Sequence, residues 1–117
     1  MAWNVELHPT FSDEIDSFDE SVSTAILATA SVLENHGPQL GRPYVDTLND
    51  SNYANMKELR ITVPDGEWRV AFAFDPNRSA ILLVAGSKSG KSQKLFYRQL
   101  IREADKRYAE WLESLHK

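Results

Sequence analysis

Four cations, Arg60, Arg69, Lys88 and Lys91, are the side chains of this sequence best placed to do chemistry together. The two arginines lie in consecutive runs of alternating character, Met56 to Val63 and Trp68 to Phe74. The two lysines lie in a small basic loop, Gly86-Ser87-Lys88-Ser89-Gly90-Lys91-Ser92, which follows a third apolar run and precedes a helix. Guanidinium and ammonium groups held in place stabilise negative charge on phosphoryl oxygens. A Gly-rich loop at a helix start is also a good place for a phosphate. From Ala85 the loop fits the pattern A-x-x-x-x-G-K-S of nucleotide triphosphatases. We reject that reading. Such folds need a parallel sheet with several crossovers and a downstream acidic residue for magnesium, and only one helix fits after Lys91.

The surrounding elements must bring these groups together. Leu59, Ile61 and Val63 alternate with Glu58, Arg60 and Thr62, so the arginine lies on the face opposite the apolar residues. Pro64-Asp65-Gly66-Glu67 reads as a four-residue turn. The chain then returns with Trp68, Val70, Phe72 and Phe74 on the apolar face and Arg69, Ala71 and Ala73 on the other. This register sets Trp68 opposite Val63, Arg69 opposite Thr62 and Arg60 opposite Ala71, with the two arginines diagonal to each other. Asp75-Pro76-Asn77-Arg78 turns the chain again, and the nearly continuous apolar run Ala80 to Ala85 reads as a strand covered on both faces.

Upstream, Trp3, Val5 and Leu7 alternate as a first strand. Thr10 is placed to cap a helix with Phe11, Ile15 and Phe18 inward. A second helix from Ser21 to Asn35 carries Val22, Ile26, Ala30 and Leu33, and Gly37-Pro38 stops it. Residues 38–55 read as a crossing loop with a short strand at Tyr44 to Leu48. The last helix starts near Ser92 and turns Tyr97, Ile101, Ala104, Tyr108, Leu112 and Leu115 inward. Lys94, Arg98, Arg102 and Lys106 recur on a different stripe. The order is βαα, then an antiparallel sheet, then a C-terminal helix, an α+β fold in a single domain over residues 1–117.

The chain has 117 residues and no cysteine, so neither a disulfide framework nor a thiolate zinc site is available. Nothing resembles a signal peptide or a membrane span, which makes the expectation a cytoplasmic protein. The net charge of −4 conceals a division. Residues 1–41 hold seven acidic residues and no Lys or Arg, whereas residues 86–107 hold seven cations against two anions, a net of +5. That division fits one face for a polyanion and another for a different partner; solvated helix faces would give it too.

The stretches "ELR", "WRVAFAFD", "ILLVAGSKSGK" and "FYRQLI-EAD-RY", with Leu40-Gly41-Arg42-Pro43 and Asn55 to Arg60, resemble the RelE/ParE superfamily of toxin–antitoxin toxins, and in particular its phage-derived, HigB-type group. The resemblance covers most of the chain from Gly37 onward. It implies a RelE-like fold and a metal-independent endoribonuclease, without cofactor, that cleaves mRNA in the ribosomal A site and inhibits translation. It also implies a cognate antitoxin, of helix-turn-helix type, with operator DNA bound only through the antitoxin complex. By resemblance Arg69 binds the scissile phosphate, assisted by Arg60, Lys88 and Lys91. Lys57, Tyr97 and Tyr108 carry over as RNA-contacting positions. The family's loop often holds adjacent cations, whereas here Ser89-Gly90 separates the lysines.

Cleavage of this kind needs the 2′-hydroxyl to attack phosphorus, a base to take its proton and an acid to protonate the leaving oxygen. The three histidines lie away from the cations in sequence. A lysine depressed by neighbouring cations, or a tyrosine, is left for either role. Phe96 or Tyr97 would stack on an unpaired base, and the Lys94/Arg98 stripe would steer RNA. The bland readings are that Arg69 pairs with Glu58 or Glu67, that Tyr97 and Tyr108 pack, and that the histidines are surface groups. Two other functions belong with this sequence pattern: a ParE-like gyrase inhibitor, against which Lys57, Lys88 and Lys91 weigh, and a protein-binding module.

Overall fold

The computed structural model describes residues 3–90 and 92–116. Five strands form one sheet in the order β1-β5-β4-β3-β2, where β1 is Asn4–Leu7, β2 Val45–Thr47, β3 Met56–Val63, β4 Gly66–Phe74 and β5 Ser79–Ser87. Three helices, α1 (Pro9–Ile15), α2 (Glu20–His36) and α3 (Gln93–Ser114), complete the α+β architecture. The β2-β3-β4-β5 part is antiparallel as expected. However, β1 pairs parallel to β5, because α1 and α2 carry the chain back across one face before β2 begins.

The sheet's two faces carry different cores. On one, Leu59, Ile61, Val70 and Phe72 pack against Ile26, Ala30 and Leu33 of α2. On the other, Ala71, Ala73, Ile81 and Leu83 meet Phe96, Leu100, Ile101, Ala104 and Tyr108 of α3. Ala71 and Ala73 share the face of Arg69, as the alternation predicts, but are not open beside it. They are instead fully buried and let α3 lie close to the sheet.

Several local expectations change. The turn between β3 and β4 contains only Pro64 and Asp65, because Val63 pairs with Gly66. This shifts the register so that Arg60 stands directly opposite Arg69 and Ile61 opposite Trp68. The cap of α1 is His8, not Thr10: the His8 Nδ1 accepts from the Thr10 backbone N–H at 3.1 Å. His8 is buried rather than on the surface, and its Nε2 lies 3.1 Å from Glu110 Oε1. The inward face of α3 is rotated toward Phe96, Leu100 and Arg107, leaving Tyr97, Leu112 and Leu115 only half-buried. Gly37 ends α2 as read, at φ +62°, and any Cβ there would overlap the Trp3 indole.

Arg107 is a core residue that the charge pattern concealed. It donates two 2.7 Å hydrogen bonds to Glu14 of α1, one of 2.9 Å to Glu103 and one of 2.8 Å to the Leu83 carbonyl. Among the described residues no helix is long and apolar enough to cross a membrane.

Candidate functional site

The antiparallel register of β3 and β4 creates the site. Glu58 and Arg60, two apart on β3, share a face with Arg69 of β4. Arg60 Nη1 donates to Glu58 Oε2 at 2.8 Å. Arg69 is 2% exposed, and its Nη1 donates to Glu67 Oε1 at 3.2 Å and to the Trp68 carbonyl at 2.9 Å. Its Nε lies 3.7 Å from Glu58 Oε1, too far for a hydrogen bond. Neither of those two buried atoms has a hydrogen-bond partner among the described residues.

Lys88 follows β5, its backbone N–H bonded to the Glu67 carbonyl at 2.9 Å, and its Nζ lies 5.5 Å from the centre of the Tyr97 ring. Burial first, then repulsion from Arg69, holds the Lys88 ammonium below the usual lysine range. Burial raises the Tyr97 phenol above its ordinary value, with the adjacent Glu58 carboxylate adding to it and Arg69 opposing.

These groups open into a cleft of about 1150 Å³ between the sheet, α3 and the loop after β2. Glu58, Arg60, Lys88 and Tyr97 line its inner end, and Lys94, Arg98 and Arg102 line it along α3. The three α3 cations are exposed, as read.

Other expected residues fall elsewhere. Arg69 does not line the cleft; its guanidinium lies behind Glu58, which does. Lys57 shares the face of Leu59 and Ile61, on the side of the sheet away from Arg60, a consequence of period two that its own neighbours already displayed. Phe96 is buried against the sheet, so its ring has no free face for a base. Tyr108 is buried too, its hydroxyl donating to the Phe74 carbonyl at 3.1 Å. Lys91 lies outside the described residues. The bland reading holds for Arg69 insofar as both Glu58 and Glu67 face it.

Glu58 was overlooked as a reactive group. Its signal was legible: a carboxylate two residues before Arg60 on one strand must share that arginine's face. Glu58 is a 3% exposed carboxylate that lines a basic cleft and leaves one oxygen without a hydrogen-bond partner among the described residues. Among the described residues no group of three His, Asp or Glu side chains could hold a metal ion.

The model of a family described as "Phage derived protein Gp49-like" matches residues 13–109. The chain is 45% identical over 101 residues to the putative toxin HigB3 of Mycobacterium tuberculosis, covering 86% of this chain and 85% of that protein. It is 39% identical over 113 residues to the putative toxin HigB2 of the same organism, covering 96% of this chain and 55% of that longer protein. Among solved structures, a double arginine-to-alanine variant of the E. coli toxin RelE in its free state superposes with a TM-score of 0.58 at 12% identity, over 92% of this chain and 98% of that one. The archaeal RelE–RelB complex from Pyrococcus horikoshii contains a chain that matches with a TM-score of 0.57 at 16% identity, over 78% of this chain and 100% of that one. These last likenesses are of fold.

Proposed function

This chain belongs to the phage-derived Gp49-like family and is a type II toxin of the HigB kind, and from that premise we propose that it is a metal-independent endoribonuclease acting on mRNA at the ribosome. The observation that carries the chemistry is the Glu58 carboxylate, buried between Arg60 and Arg69 with one oxygen free, at the end of a cleft walled by α3 cations.

In this mechanism the unpaired RNA strand lies along Lys94, Arg98 and Arg102, which contact phosphates without regard to sequence. The Glu58 carboxylate takes the proton of a 2′-hydroxyl, whose oxygen attacks the adjacent phosphorus. The bond to the 5′-oxygen of the next nucleotide breaks, giving a 2′,3′-cyclic phosphate and a 5′-hydroxyl end. Arg60 neutralises the charge that grows on the phosphoryl oxygens. Lys88, whose lowered pKa makes it a better acid than an ordinary lysine, protonates the leaving oxygen. Arg69 acts from behind the carboxylate, holding Glu58 in place. Tyr97 serves in this reading as a stacking surface beside Lys88, and Lys91 stays a candidate on the sequence alone. An antitoxin is the partner that keeps the site in check in this reading, which the solution of a chain of this fold in a RelE–RelB complex supports.

The test is a cell-free translation reaction given purified protein, followed by mapping of mRNA 5′ ends. New ends from the wild type, lost in Glu58→Gln and reduced in Arg60→Gln, are expected. Intact mRNA with the wild type would overturn the reading, and a parallel reaction without ribosomes decides whether the ribosome is needed.

A further inference from the structure

The two walls of the cleft differ in kind. On α3, Lys94, Arg98 and Arg102 carry only donors and full positive charges. Across from them the loop joining β2 to β3 presents Asn49, Asp50 and Asn52, all exposed and all lining the same cleft. Among the described residues none of these three side chains makes a hydrogen bond. Their backbone, by contrast, is held firmly. Leu48 is buried, and its N–H donates to the Met56 carbonyl at 3.0 Å. The Ser51 hydroxyl donates to Asp105 Oδ1 at 2.5 Å, and the Asn52 N–H donates to Asp105 Oδ2 at 2.9 Å. The Asn55 amide donates to the Phe74 carbonyl at 2.6 Å. A fixed loop with free side chains is preorganised to recognise something.

The aspartates that line the cleft narrow the choice. Asp46 is taken up by Arg42 and by the Thr47 N–H, and Asp105 by Ser51 and Asn52. Asp50 has no such partner among the described residues. A carboxylate only accepts, and it repels phosphates. It suits a base edge that presents donors, of which guanine, with N1–H and N2–H₂ side by side, offers the best pair. The neighbouring amides supply a donor and an acceptor each, enough to read a second base.

We propose that the 48–55 loop reads the bases of the bound strand, with Asn49, Asp50 and Asn52 as specificity-determining residues and Asp105 as the residue that positions them. This inference rests on the ribonuclease reading. Backbone contacts then fall to α3 and base contacts to the loop, the division by which single-stranded RNA is recognised in sequence.

The experiment is 5′-end mapping over a pool of transcripts in a translation reaction, with wild type, Asp50→Ala, Asn49→Ala/Asn52→Ala and Arg98→Ala. Wild-type cuts are expected to be enriched for one base at a fixed position. The loop variants should reduce that enrichment by about tenfold, the scale of one lost two-bond base contact. Arg98→Ala should lower cutting at all sites alike and keep the enrichment. Asp50→Asn, which keeps the shape and replaces one acceptor by a donor, should change the preferred base. Equal base distributions in wild type and loop variants, or a wild type that cuts without preference, would overturn the inference and leave the ribonuclease reading standing. A wild type that cuts nothing would remove both.

Discussion

Two buried arginines, Arg69 and Arg107, lie at comparable depth, 2% and 6% exposed, on the same side of the sheet. Their surroundings differ. Arg107 meets a two-bond Glu14 pair, Glu103 and a carbonyl, all at 2.7 to 2.9 Å. Arg69 has one good bond to a carbonyl, a 3.2 Å contact to Glu67, and an Nε facing an unpaired Glu58 oxygen at 3.7 Å. A buried charge whose partners are all engaged joins elements; here it ties α1, α3 and β5. A buried charge left with unused capacity beside an unsatisfied carboxylate is poorly explained by stability, because such a site costs more than it returns. On this difference rests our proposal that Arg107 is structural and Arg69 belongs to the functional site.

The sharpest test of that contrast is Glu58→Gln. The amide keeps an acceptor for Arg60 but is no base, and RNA cleavage should fall by about 10²–10⁴-fold with little change in melting temperature. Undiminished single-turnover cleavage would reduce the Arg69 region to packing. Next, Arg107→Ala should cost about 2–3 kcal/mol in urea denaturation, below the 3–5 typical of a broken buried pair, because Glu14 and Glu103 each keep 39% side-chain exposure. An unmoved midpoint would remove Arg107's role as a joint. Arg69→Met should cost less, about 1–2 kcal/mol, since Glu58 retains Arg60; a larger loss than that of Arg107→Ala would invert the comparison.

The smallest effect is on pH. The hydrogen bonds from Arg107 hold the Glu14 carboxyl below its ordinary value of 4.5. A carboxyl lowered by folding adds stability above the unfolded value, and loses it as pH falls through the folded one. Melting temperature should therefore decline below about pH 4.5, with a shallower decline in Glu14→Gln. Identical pH profiles for the two proteins would detach Glu14 from the joint.

Element order, the apolar strand faces and the pairing of Arg60 with Arg69 on one face were readable, because alternation along a strand is a local property. Register was not. The two-residue Pro64-Asp65 turn and the four-residue alternative look alike in sequence, and the choice moved Arg69 from Thr62 to Arg60. The rotation of α3 was missed for a similar reason: an apolar stripe including Tyr97 fits the helix as well as one including Phe96, and only contact with Ala71 and Ala73 decides between them. Arg107 looked like one more cation in a basic stretch, since its partner Glu14 lies 93 residues away. Lys57 was legible from its own strand's alternation, and the family resemblance outweighed it.

The parallel pairing of β1 with β5 has a consequence for synthesis. Asn4 pairs with Ser79, 75 residues later in the chain. At a synthesis rate of 5–20 residues per second, β1 waits roughly 4 to 15 seconds for its partner strand. The β3–β4 hairpin, with only two residues between its strands, closes within microseconds of emerging. The ribosome thus assembles the two arginines well before the first strand it made can find its place at the edge of the sheet.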